Sequence, residues 1–319
     1  MIICQPPIKP KNKHIQSALA SSKIRLLRLR KSNPVIENEV QQTLTSPLAS
    51  LLGYYSQNKT NADTVAILIH GWEGSSKSTY IQLLANTLYQ KGLDIYRLNL
   101  RDHGESHHLN EGLFHSCRIE EVMLAVQEIQ QRLPNKKFIL CGFSLGGNFA
   151  LRIASRATEA GLSFEHVFAI SPPLIPKNSM DAIHGSKIYN KYFIKKWKRS
   201  LHIKNQLFPH LFKDSSWQQE QNLERLTQML ILDHTEFSST DAYFKGYSIT
   251  PDTISTINCP THVITAWDDP VIPFEDFSTI DRLPQISLLT TTHGGHCGFI
   301  QGWSMRSWVE DHIIATCVK

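Results

Sequence analysis

Residues 137–150 read KFILCGFSLGGNFA, and this stretch decides the fold. The apolar run 137–143 predicts a strand, and a helix follows from Ser144 to about Ala160. Between them lies Gly142-Phe143-Ser144-Leu145-Gly146, a G-x-S-x-G sequence in the strand-to-helix context that the motif requires. A serine on so sharp a turn sits in strained backbone, and the turn has no room for side chains two residues to either side, hence the glycines. Its hydroxyl then stands above the sheet edge. The same turn aims the N–H groups at the helix start, including that of Leu145, towards the place where negative charge develops in acyl transfer.

Working outward, apolar runs at 64–70, 94–100, 137–143 and 165–171 alternate with helical patterns at about 78–91, near 118–132 and from Ser144 to about 160. Such alternation predicts a mostly parallel sheet covered on both faces. After Pro172 and Pro173 the rhythm breaks and resumes at 261–267 and 285–291, before a final helix near 302–316. The expected organisation is a single α/β domain over 1–319, with an N-terminal arm 1–34 and a helical cap inserted at 172–258. A hairpin is expected within 35–58 and an amphipathic helix within 13–30.

A serine hydroxyl needs a base, and the base an orienting acid. With this elbow the partners follow in the order Ser, Asp or Glu, His, on loops after later strands. The run THVITAW ends in Asp268-Asp269-Pro270-Val271-Ile272-Pro273, and QISLLTT is followed by His293-Gly294-Gly295-His296. Each loop offers two residues. The spacing from Asp269 to Pro273 favours Asp269, with Asp268 as its loop-stabilising neighbour. The two glycines before His296 favour it over His293, because they let the loop bend back over the serine. The strand TVAILIH runs into Gly71-Trp72, so the Trp72 amide is the expected second oxyanion donor and its indole a pocket wall. His70, Phe143 and Trp197 are further pocket candidates, His70 with a structural role as well.

Three competing motifs are weaker. Residues 71–78, GWEGSSKS, nearly match the phosphate-binding G-x-x-x-x-G-K-[ST], but Ser76 stands where that loop needs glycine. His103, His107 and His108 with Asp102 and Glu105 invite a metal reading, but RDHGESHHLNEG reads as a polar loop, and no metal or other cofactor is expected. Cys117 and Cys141 are read as packing residues.

Composition bounds the rest. Of 319 residues 41% are hydrophobic and 19% charged, which excludes long disorder. Six scattered cysteines without a C-x-x-C spacing suggest reduced thiols and a cytoplasmic setting. The first residues have no apolar core, so no secretory signal is expected, and no run approaches the ~18 apolar residues of a membrane span. A net charge of +5 is too mild to imply nucleic acid unless clustered, and it is clustered. Within 187–204, Lys187, Lys191, Lys195, Lys196, Lys198, Arg199 and Lys204 stand without an acid, and Tyr189, Phe193 and Trp197 recur every four residues. The expected arrangement is a cap helix with aromatics over the site and a solvated basic back, suited to a substrate with an anionic head group. Nucleic acid is not expected as a partner.

HGWEGSSKSTYI, NLRDHGES, GFSLGGNFALRIA, AWDDPVIP and HGGHCGF together resemble α/β-hydrolases of the YheT-like branch. Trp72, where relatives often have leucine, and Ser239 or nearby residues, where they often have glycine, depart from the pattern. The resemblance implies an eight-stranded, mostly parallel sheet, with the nucleophile at Ser144, the acid at Asp269 and the base at His296. It implies cleavage of carboxylic, lipid-like esters, with acyl transfer to an alcohol by the same residues as the alternative. A binding module without catalysis is the third reading.

Overall fold

The computed structural model describes residues 1–29, 32–60, 62–212, 214–280 and 283–318. Its centre is a nine-stranded sheet of β1 (Ile2–Cys4), β2 (Glu39–Thr45), β3 (Ser50–Ser56), β4 (Thr64–Ile69), β5 (Asp94–Leu98), β6 (Lys137–Phe143), β7 (His166–Ile170), β8 (Thr261–Ala266) and β9 (Ile286–Thr291). The order is β1-β9-β8-β7-β6-β4-β5-β3-β2, with β2, β3 and β5 paired antiparallel and the remaining pairs parallel. Eight strands are expected from the sequence. The ninth is β1, three residues too short to show a period, which pairs Ile2 with Leu289 and Cys4 with Thr291.

The helices are α1 (Lys13–Ser21), α2 (Pro34–Glu37), α3 (Thr79–Gln90), α4 (Ile119–Arg132), α5 (Leu145–Arg156), α6 (Pro176–His184), α7 (Lys187–Leu207), α8 (Ser216–Gln219), α9 (Leu223–His234), α10 (Thr240–Gly246), α11 (Pro251–Ile254) and α12 (Trp308–Cys317). Both sheet faces are covered, so the central strands are mostly apolar. Val65, Ile67 and Ile69 of β4 share one cluster with α4 and α5, while Ala66 and Leu68 share the other with α3 and α12. The period of two along a strand sorts neighbouring residues to opposite layers.

Helices α6 to α11 all lie in the segment between β7 and β8. Helix α7 carries the basic run, and here the structure corrects the expectation of a wholly solvated basic back. Lys204 is 1% exposed: its Nζ donates to Asp102 Oδ1 at 2.8 Å and to the carbonyls of His107 and Asn110. Lys196 donates to the Glu73 carbonyl at 3.0 Å and Lys198 to that of Gln218 at 2.6 Å. Lys187, Lys191, Lys195 and Arg199, which recur every four residues, form the exposed stripe.

Residues 1–29 pack along the far edge of the sheet. Asn12 caps α1 by accepting from the amides of His14 and Ile15. Arg25 and Arg28 pair with the buried Glu310 of α12 at 3.1 and 2.8 Å. The amphipathic stretch expected within 13–30 therefore divides into α1 and a 3₁₀ segment, Lys23–Leu29.

Candidate active site

The turn from β6 to α5 holds Ser144 at φ 52° and ψ −120°, left-handed backbone that a side chain adopts only under constraint. Two contacts supply that constraint. A Cβ on Gly142 would strike the Gly146 carbonyl, and one on Gly146 the Ile69 carbonyl, so the strand and helix approach at distances only glycine permits. The Ser144 amide donates to the Ile170 carbonyl at 2.7 Å, tying the turn to β7.

Asp269 and His296 arrive on the loops after β8 and β9, at the same edge of the sheet. Ser144 Oγ lies 2.9 Å from His296 Nε2, and His296 Nδ1 lies 3.0 Å from Asp269 Oδ2. The other carboxylate oxygen, Asp269 Oδ1, accepts from the amides of Val271 and Ile272 at 2.8 and 3.0 Å. With both oxygens engaged, the Asp269 carboxylate is fixed in rotation. Asp268 serves the next loop, accepting from the Gly295 amide at 2.9 Å and lying 3.3 Å from His293 Nδ1. The structure thus brings Ser144, His296 and Asp269 together and puts Asp268 with His293.

Burial opposes charge on the His296 ring. The Asp269 carboxylate, with a smaller contribution from Cys297, outweighs it and holds the ring well above its ordinary 6.5. A hydroxyl at one nitrogen and a carboxylate at the other is an arrangement that moves a proton from Oγ to Nε2.

The loop after β4 lies against the serine, since a Cβ on Gly71 would sit 3.1 Å from that of Ser144. Tyr80 anchors it, its hydroxyl accepting from the Gly71 amide at 3.0 Å. Neither the Trp72 nor the Leu145 amide is used in the hydrogen bonds among the described residues. The Trp72 indole stacks on Phe193 at 5.2 Å and meets Trp197 edge-on at 5.2 Å, which joins this loop to α7. Burial pushes the Glu73 carboxyl up to about 8, with Lys196 pulling the other way.

Trp72, Ser144, Leu145 and Trp197 line one cavity with Phe193, Leu201 and Ile231 of the helical segment. Two sequence candidates lie outside it. Phe143 is buried in the layer of α3 and α12, its ring 4.8 Å from Tyr80, because its parity matches Ile139 and Cys141. His70 is fully buried behind the loop: Nε2 accepts from the Leu100 amide at 3.2 Å, so Nδ1 carries the proton and donates to the Gly71 carbonyl at 2.8 Å. Its role in the structure is to hold the loop.

The competing motifs are occupied otherwise. The Ser75 amide donates to Ser78 Oγ at 2.9 Å and the Ser76 amide to Asn99 Oδ1 at 2.6 Å, so this loop does not present its N–H groups to a phosphate. His107 Nε2 meets Ser200 Oγ at 2.7 Å, Glu105 pairs with Lys77 at 2.7 Å, and His103 Nδ1 lies 2.6 Å from the Arg101 carbonyl.

Sequence reasoning missed two buried amides. Asn148, one turn into α5, donates to the carbonyls of Pro173 and Tyr247 at 2.9 and 2.8 Å, tying α5 to both ends of the helical segment. Gln16 of α1 bonds the loop after His296 in both directions, to the Ile300 carbonyl at 3.3 Å and from the Ile300 amide at 2.7 Å. Its neighbour Ser17 accepts from the His296 amide at 2.8 Å. The full burial of both amides within helices is a tertiary property that no local spacing signals.

The sheet order, the strained serine at its centre and the two loops beside it are those of the α/β-hydrolase fold. The model of the alpha/beta hydrolase fold matches residues 65–193. Among characterised proteins the chain is similar to a monoacylglycerol lipase of Saccharomyces cerevisiae, 24% identical over 85% of this chain and 64% of that protein. It is also similar to the putative esterase YheT of Escherichia coli, 24% identical over 77% of this chain and 74% of that one. Among solved structures, an esterase of Pyrococcus furiosus superposes with a TM-score of 0.59 at 17% identity, covering 86% of this chain and 88% of its own. The relatives are ester-cleaving hydrolases, and this chain spans under two thirds of the yeast lipase's length. No helix among the described residues is long and apolar enough to cross a membrane.

Proposed function

We propose that the protein is a serine hydrolase of the YheT-like branch that cleaves carboxylic esters through an acyl-enzyme intermediate. The observation that carries this reading is the unbroken chain from Ser144 Oγ through His296 to Asp269, at 2.9 and 3.0 Å. Ser144 Oγ attacks the ester carbonyl as its proton passes to His296 Nε2. Asp269 holds the ring in the tautomer with Nδ1 protonated and stabilises the imidazolium. The amides of Leu145 and Trp72 bind the oxyanion. His296 returns its proton to the departing alkoxide, then takes one from water, which attacks the acyl-enzyme and frees the acid and Ser144. Every proton moves between this chain, the ester and water, so the scheme invokes no cofactor.

The apolar wall of Phe193, Trp197, Leu201 and Ile231 supports a lipid-like acyl group, with α6 to α11 as a cap over it. The exposed stripe of Lys187, Lys191, Lys195 and Arg199 suits an anionic head group outside the cavity. Cys141, Cys259 and Cys297, buried as free thiols, support a reducing, cytoplasmic setting.

Covalent labelling tests the reading. A fluorophosphonate should label Ser144, and Ser144→Ala should abolish labelling while lowering p-nitrophenyl ester turnover by about 10⁶-fold. Hydrolysis by that variant at the wild-type rate would overturn the assignment.

A further inference from the structure

The loop after β4 is gripped from above by one face of α7. Residues 71–74 form a turn closed by the Gly74 amide, which donates to the Gly71 carbonyl at 2.9 Å, with Trp72 and Glu73 at its centre. Glu73 stands at φ 54°, left-handed backbone that turns usually give to glycine or asparagine. A side-chain-bearing residue keeps such a conformation only where its surroundings impose it.

Three residues of α7 supply the constraint. The Lys196 ammonium donates to the Glu73 carbonyl at 3.0 Å, while Phe193 and Trp197 meet the Trp72 indole, one stacked and one edge-on. Positions 193, 196 and 197 are spaced i, i+3 and i+4, so they share one helix face. The ammonium is itself steadied, lying 5.1 Å from the centre of the Tyr192 ring one turn back. At the other end of the turn, Tyr80 holds the Gly71 amide. Between these anchors the Trp72 amide makes no hydrogen bond among the described residues. Phe193 and Trp197 line the cavity beside Ser144, and Lys196 is not among its lining residues, so its contact is with the loop and not with the space a substrate would fill.

We propose that Lys196 is a positioning residue for ester cleavage. By holding the Glu73 carbonyl it sets the direction of the Trp72 N–H, so the oxyanion site is complete only with α7 seated on the loop. The inference rests on the ester-cleaving reading above and adds to it a residue that touches neither the ester nor the reacting atoms. An oxyanion donor acts only when aimed at the place where the charge forms, and that charge belongs to the transition state and not to the bound ester. Loss of the aim therefore lowers kcat and leaves KM.

Kinetics on p-nitrophenyl hexanoate test it. Lys196→Met keeps the aliphatic stem without the ammonium and should lower kcat about 10- to 100-fold, with KM within about twofold. Lys196→Arg, which retains a donor, should restore most of the rate. Pentylboronic acid, whose adduct with Ser144 puts a boron-bound oxygen where the oxyanion forms, should bind Lys196→Met more weakly by a factor similar to the loss in kcat. The acid limb of the pH profile, set by His296, should not move. Lys198→Met loses a bond of the same kind, to the Gln218 carbonyl of α8, and should leave kcat unchanged. Unchanged kinetics in Lys196→Met, a raised KM at unchanged kcat, a shifted acid limb or an equal loss in Lys198→Met would each overturn the proposal while ester cleavage stands. If the wild-type protein cleaves no ester and takes no fluorophosphonate label on Ser144, the functional reading and this inference fall together.

Discussion

Asp268 and Asp269 are adjacent in sequence and engage different histidines. Asp269 spends one oxygen on two backbone amides and the other on His296, while Asp268 steadies the Gly295 amide. Asp269→Asn should therefore lower kcat by about 10⁴-fold by offering Nδ1 the wrong partner, and Asp268→Asn by far less. The pH profile gives an independent check. Because the folded protein holds His296 well above 6.5, the ring stays protonated, and unable to accept from Ser144, to a higher pH than a free imidazole. The acid limb of kcat/KM should lie above pH 6.5 and move down when Asp269→Asn removes the charge that raises it. A wild-type limb at or below 6.5 would contradict this account. Sequence offered two residues for each partner and favoured Asp269 on its spacing to Pro273 and His296 on the two glycines before it. In the structure the Asp269 carboxylate faces His296 and its other oxygen takes amides two and three residues further on, while Asp268 faces His293. Phe143 is the opposite case: its parity with Ile139 and Cys141 was readable in β6, and following that alternation assigns it to the layer of α3 and α12.

At the scale of an element, α7 shows what charge counting leaves out. Seven basic residues in one run read as a solvated back, yet Lys204 is as buried as the apolar residues around it, because Asp102 and two loop carbonyls meet its ammonium. Nothing in a helical period distinguishes the lysine that faces a carboxylate 102 positions away from the lysine that faces water. Truncating one partner of a buried pair leaves the other charged and unpaired. Lys204→Met should accordingly destabilise the fold by about 3–5 kcal/mol, and Lys195→Gln, at an exposed position, by no more than about 0.5 kcal/mol. Thermal or denaturant unfolding of the two variants side by side measures the difference. Equal midpoints would mean that the Lys204 pair contributes nothing beyond an exposed lysine. The core strands, by contrast, were legible nearly to the residue, since a run buried on both faces is apolar throughout and glycine or proline marks many of its ends.

At the scale of the whole molecule, the N-terminal arm packs against the His296 loop. Gln16 and Ser17 hold its backbone at Ile300 and at His296, and Gly295 and Gly298 admit α1 so closely that a Cβ on either would collide with its carbonyls. Gln16→Leu keeps the volume and removes these bonds. It should lower kcat about 10- to 100-fold with little change in KM, because the base is displaced while the cavity is intact. Steady-state kinetics that instead showed a raised KM and an unchanged kcat would assign the arm to substrate binding. The arm was the least legible part of the sequence, since β1 is three residues long and its partners lie near the opposite end of the chain.

That pairing orders events in time. β1 needs Leu289–Thr291, Gln16 needs Ile300, and Arg25 and Arg28 need Glu310, so the arm has nowhere to dock until these downstream segments exist. A chain emerging from the ribosome can assemble the β4–β7 centre with Ser144 in it early, but the His296 loop meets Gln16 and Ser17 only when the arm closes over residues 289–310. Such long-range closure is slow compared with local structure. On the proposed reading, the pairing of Ser144 with a steadied His296 is then among the last features the folding chain acquires.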